Sequence, residues 1–153
     1  MIAFICIFTK HYSLACKVYS LFGQMLLVNK RADLAENMYN KLRACAHTAK
    51  DAIIKMFAYK QLGYTYIQLE RYESAVMSFK YMLALSWAVR STEGEYAAYE
   101  GLQRAYLYQG LIDKVKFYNK RAAEGDYESP ETQLFKLSVS FSLNENTWLK
   151  NEQ

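Results

Sequence analysis

Apolar residues recur at helical spacing throughout Met56–Leu85, MFAYKQLGYTYIQLERYESAVMSFKYMLAL. Tyr59, Leu62, Gly63, Tyr66 and Leu69 share one helical face. The polar pair Glu70–Arg71 interrupts the pattern, and Tyr72, Ala75, Phe79 and Met82 begin a second one. A glycine inside a helix costs about 1 kcal/mol relative to alanine. Gly63 therefore implies a neighbouring helix packed too close for a side chain, with Ala75 as the small residue facing it. The expected unit is two amphipathic helices joined by a tight turn. A hairpin in a closed bundle would carry the same pattern, so the decision rests on recurrence.

The unit does recur. A shift of +40 carries Tyr59 to Tyr99, Leu62 to Leu102, Tyr66 to Tyr106, Glu73 to Asp113, Ala75 to Val115 and Met82 to Ala122. A shift of −40 carries Tyr59 to Tyr19, Leu62 to Phe22, Gly63 to Gly23, Tyr66 to Leu26, Arg71 to Arg31, Ala75 to Ala35 and Phe79 to Tyr39. Three copies at one spacing imply helix pairs stacked in a row. The third copy departs most, with Gln103 for the glycine, Val115 for the alanine and Asn119 for the aromatic. There Phe117 or Tyr118 is expected to fill the gap.

Leu62-Gly63, Tyr66, Tyr72, Ala75 and Phe79 fall at the offsets of the tetratricopeptide repeat, and the chain resembles that family in long-helix form. Met82 stands where the family has a small alanine, and Trp87 where it has a proline, so the second helix should run on. HEAT-type repeats share the longer period of about 40 residues, but the Gly23/Gly63 and Ala35/Ala75 pairs favour the tetratricopeptide pattern. The resemblance implies an all-α, right-handed helical-hairpin solenoid of about three helix pairs with a C-terminal closing helix. Its units would be 16–55, 56–95 and 96–129, within a solenoid over 1–143.

The same resemblance implies a concave groove lined by the first helix of each pair. By position it would hold Lys17, Ser20, Gln24, Leu27 and Val28, then Phe57, Lys60, Tyr64, Ile67 and Gln68, then Ala97, Glu100, Arg104, Leu107 and Tyr108. Lys17, Lys60 and Arg104 would offer donors, and Tyr64 and Tyr108 flat contact area suited to binding hot spots. The expected partner is a peptide or helix with some acidic character; solvated helix faces would carry the same residues. The family's clamp for chaperone C-termini is disfavoured, because Gln24 and Tyr64 replace its asparagines and Ser20 a lysine.

At 153 residues and 52% hydrophobic the chain can bury one sizeable core, and one proline suits nearly continuous helix. Fourteen tyrosines and eight phenylalanines are read first as packing between helices. A net charge of +4 spread along the chain is too diffuse for nucleic-acid binding. Lys114, Lys116, Lys120 and Arg121 make a local basic surface, read as solvated first and as attractive to acidic polymers second. Cys6, Cys16 and Cys45 have no paired spacing, which points to buried thiols in a reducing compartment.

The order along the chain follows. Residues 1–8, MIAFICIF, map by the 40-residue register onto Lys41–Thr48, the tail of a second helix. They lack a basic leader, which disfavours secretion, and Ile5, Ile7 and Phe8 suggest an edge packed on another chain. Helices are expected from about His11 to Val28, with Tyr19, Phe22, Gly23 and Leu26 inward, and from Ala32 to Ala46, with Leu34, Ala35, Met38, Tyr39 and Leu42 inward. Thr48 with Asp51, and Thr92 with Glu95, resemble capping boxes opening the next two first helices. Gly110 should end the fifth helix, and Ile112 to Ala123 form the sixth. Ser129-Pro130-Glu131 should start a closing helix, 130–143, followed by a polar tail, 144–153.

Chemistry is not signalled. His11 and His47 have no ligands at zinc-site spacing, and no phosphate-cradling or nucleophile-elbow motif occurs. Cys45 and His47, two apart on a helix, point in different directions. The expectation is no enzyme, no cofactor and no metal. The leading reading is an intracellular, cytoplasmic or cytoskeletal scaffold. It would be a subunit of a larger assembly, with a cilium or a mitochondrion as possible settings, and would take no nucleic acid. The alternative is a membrane-surface protein anchored through the apolar N-terminus.

Overall fold

From Tyr12 to Ile112 a new helix starts every twenty residues. The computed structural model describes residues 11–124, 133–140 and 143. Six helices follow in order: α1 Tyr12–Val28, α2 Ala32–Thr48, α3 Ala52–Gln68, α4 Tyr72–Ala88, α5 Thr92–Tyr108 and α6 Ile112–Glu124. Residues 133–140 form a further helical segment, α7. Among the described residues there is no strand. No helix found there is long and apolar enough to cross a membrane. The edge at Ile5, Ile7 and Phe8, the start of the closing helix at Pro130 and the tail 144–153 lie outside the described residues.

One turn design makes this spacing. The middle residue of each linker is left-handed: Lys30, Lys50, Glu70, Arg90 and Gly110 have φ of 57°, 55°, 58°, 55° and 73°. The residue after it donates its N–H to the carbonyl five residues back, Arg31 to Leu26 O, Asp51 to Ala46 O, Arg71 to Tyr66 O, Ser91 to Ser86 O and Leu111 to Tyr106 O. The left-handed residue itself bonds back to Leu27, His47, Ile67, Trp87 or Leu107. This is the Schellman closure, which satisfies carbonyls a helix end otherwise orphans. Glycine supplies it only at Gly110; the other four sites hold a charged side chain in a disfavoured backbone state.

The turns also correct the two expected capping boxes. Asp51, not Thr48, caps α3: its carboxylate accepts from Ile54 N at 3.0 Å, while Thr48 Oγ1 donates back to Ala44 O. Ser91, not Thr92, caps α5, its hydroxyl accepting from Gly94 N at 3.0 Å, and Glu95 accepts from the Tyr99 hydroxyl instead. The Schellman closure fixes the residue after the left-handed one, so that residue is already placed to cap the next helix.

Three-residue linkers between 17-residue helices force neighbours to run antiparallel, and each helix packs on the next. The result is a helical-hairpin solenoid. α3 also meets α5 directly, whereas neither α1 and α3 nor any two of α2, α4 and α6 are in comparable contact. The first helices of the pairs thus line the inside of the curve, and the second helices its outside.

Aromatic plugs seat in glycine gaps. A Cβ on Gly63 would lie 2.5 Å from the Phe79 ring, and one on Gly101 2.3 Å from the same ring. Phe79, fully buried, is thus clamped between α3 and α5. Tyr39 fills the same place against Gly23 one unit earlier. In the third pair the plug is Tyr118, buried and stacked on Tyr106 at 5.5 Å, while Phe117 is largely exposed. Phe135 of α7 packs edge-on to Trp87, Phe117 and Tyr118, closing that end.

Two residues expected inward point out. Phe22 is 56% exposed, because its counterparts Leu62 and Leu102 are covered by the preceding α2 and α4, and no described helix precedes α1. Leu34 lies on the outer side of α2, where α4 carries Ser74 and α6 carries Lys114.

Candidate partner-binding groove

The inner side of the curve divides into two parts. Between α1 and α3 opens a cavity of about 780 Å³, bordered by Lys17, Ser20, Gln24 and Phe57, all four expected groove residues. Tyr12, Ser13, Cys16, Leu21, Asp51 and Ile54 complete its wall, with Leu42 of α2 behind. Gly101 lets α5 close onto Phe79, and the residue one period earlier on α3 is Gln61.

The cavity wall is anchored at one end. The Tyr12 hydroxyl donates to Asp51 Oδ2 at 3.2 Å, while Asp51 Oδ1 holds the α3 N-terminus. Burial first, then the neighbouring Cys16 and Asp51, push the Tyr12 ionisation well above its usual value, so the phenol stays a donor. Burial likewise raises the Cys16 thiol, which lies inert against the wall. Cys45 is also buried.

Between α3 and α5 the groove floor is closed and aromatic. Tyr64 meets Phe79 edge-on at 5.2 Å, and the Arg104 guanidinium lies over the Tyr64 ring at 5.3 Å. Arg104 Nη2 also reaches Glu100 Oε1 at 3.5 Å. Burial, then the Glu100 carboxylate, raise the Tyr64 ionisation against the opposing pull of Arg104. Tyr108 sits at the rim, stacked on Tyr72 at 5.6 Å. Lys60 and Gln68 lie on α3, half-buried and exposed respectively. The α3–α5 floor is therefore aromatic and net cationic, with Lys60 and Arg104 against Glu100.

The basic residues of α6 do not form one patch. At 100° per residue Lys114 and Arg121 fall on one side and Lys116 and Lys120 on the other. Lys114 covers the Tyr106 ring at 4.8 Å, Arg121 covers Phe117 and Phe135, and Lys120 reaches Glu124 at 3.5 Å. A second recess of about 1070 Å³ is bordered by Asn40 and Arg43 of α2, Tyr59 and Tyr66 of α3, Met77 and Tyr81 of α4 and Tyr106 of α5, with Lys114 of α6 at its end. No group of three or more histidine, cysteine or acidic side chains among the described residues could hold a metal ion.

Sequence reasoning missed Tyr12 and Asp51. Their signal was the capping position itself, since an aspartate ending a repeat linker faces the first residue of the previous unit. The chain matches no protein-family model and no curated protein.

Proposed function

We propose that this chain is a non-enzymatic protein–protein interaction scaffold of the tetratricopeptide class, a subunit or adaptor that holds a helix or extended peptide in the groove of α1, α3 and α5. One observation carries the reading. The 40-residue repeat brings Lys17, Ser20, Gln24 and Phe57 around a single open cavity, and sets Arg104 on Tyr64 along the same side. Aromatic and arginine side chains at a rigid, partly desolvated floor are the usual anchors of binding energy. The lysines and Arg104 favour an acidic partner and would speed its encounter. Buried thiols suit an intracellular, reducing setting, and cytoplasmic, ciliary or mitochondrial assemblies are the settings proposed.

Site-specific photo-crosslinking tests this reading. A photoreactive residue replacing Ser20 or Lys60 should capture one and the same protein in extract of the native source. The same probe replacing exposed Lys41 or Asn119 should not. Capture only from the Lys41 or Asn119 positions contradicts the proposal.

A further inference from the structure

The outward face of α1 carries Leu14, Val18, Leu21, Phe22, Met25 and Val28, all substantially exposed, Val28 to 82%. Leu14, Val18, Leu21, Met25 and Val28 are spaced four, three, four and three apart, the alternation of a coiled-coil seam. The polar residues of α1 are confined to the strip Ser13, Lys17, Ser20 and Gln24 that borders the groove, and no acidic residue lies in its first turn. A helix apolar around the rest of its circumference is one that packs on both sides.

The repeat itself says what kind of neighbour this face does not fit. One period on, Val18, Leu21, Phe22 and Met25 correspond to Ala58, Gln61, Leu62 and Thr65 of α3; two periods on they correspond to Ala98, Gly101, Leu102 and Ala105 of α5, all four buried. In α5 the positions of Val18, Leu21 and Met25 are all small, which lets the preceding hairpin helix and its aromatic plug come close. On α1 the small positions are taken by Val18, Leu21 and Met25. Large side chains at alternating spacings of three and four suit a knobs-into-holes partner at coiled-coil separation, not another repeat unit.

We infer that α1 pairs with α1 of a second copy of this chain across a two-fold axis. The seam carries no charge, so meeting itself brings no like charges together, as an isologous interface requires. The exposed apolar area of the six side chains is roughly 600 Å² per copy, close to the ~800 Å² per partner of a standard stable interface. Pairing leaves Lys17, Ser20 and Gln24 facing the cavity, with Leu21 on the border between seam and cavity, so the dimer presents two grooves.

Sedimentation equilibrium of the full chain tests it. The wild type should have the mass of two chains. The pair of substitutions Leu21→Asp and Met25→Asp should give one chain with an unchanged helical circular-dichroism spectrum. Leu107→Asp, on an exposed site of α5, should leave two. A wild type that sediments as one chain, because its own residues or another protein cover α1, overturns the inference. So does a doubly substituted protein that remains a dimer.

Discussion

Phe79 shows how much depends on single atoms. Its ring is gripped by two glycines from different helices, and neither neighbour can yield without moving a backbone. Gly101→Ala gains about 1 kcal/mol of helix propensity but overpacks a rigid, fully buried ring, for a net loss of about 2 kcal/mol. Urea unfolding should show that loss as a lower midpoint. Tyr39 presents the opposite case. Its hydroxyl is buried and, among the described residues, has no hydrogen-bond partner. Phenylalanine already serves one period later, so Tyr39→Phe should raise stability by about 1 kcal/mol. Burial also pushes the Tyr39 ionisation up to about 12. The unfolded phenol, ionising near its ordinary value of about 10, loses its proton first. Stability held by the protonated ring is complete below that value and is lost as pH rises through about 12. Thermal melts from pH 9 to 12 should therefore fall more steeply for the wild type than for Tyr39→Phe.

At the scale of the element, the recurring device is the linker. Four of its five left-handed positions bear Lys30, Lys50, Glu70 and Arg90. Glycine adopts that conformation without a Cβ clash. Glu70→Gly should thus stabilise by roughly 0.5–1 kcal/mol, and Gly110→Ala should cost about as much. Differential scanning calorimetry of the two variants decides the sign. These turns also mark where sequence reading ran short. Helix number, spacing and a close approach at Gly63 were legible, because apolar periodicity and an interior glycine each have one physical cause; the group that fills the gap is the Phe79 ring and not the expected Ala75. The closures were not, because no glycine announced four of them, and the caps were accordingly placed on Thr48 and Thr92. Gly101 escaped because the repeat match pointed to Gln103. It serves Phe79 from the far side, a relation between units that matching within one unit does not show.

For the molecule as a whole, the inner side is uneven: α5 closes on α3, with Gly101 against Phe79, while a cavity opens between α1 and α3. That Lys17, Ser20, Gln24 and Phe57 share one side was legible from the repeat register, but the cavity they border was not, since a register gives direction and not the separation between helices. Charge reversal tests the groove's electrostatics. Arg104→Glu should weaken binding of an acidic helical peptide about tenfold or more, by removing the cation over Tyr64 and setting a second carboxylate beside Glu100. Isothermal titration would read that loss, and Lys116→Glu on α6 should leave affinity nearly unchanged. The most direct measurement is NMR mapping of the ¹⁵N-labelled chain against the segment of its captured partner. Shifts concentrated at Lys17, Ser20, Phe57, Tyr64 and Arg104 are the predicted result. Shifts confined to α2, α4 and α6, with α1, α3 and α5 undisturbed, would contradict it.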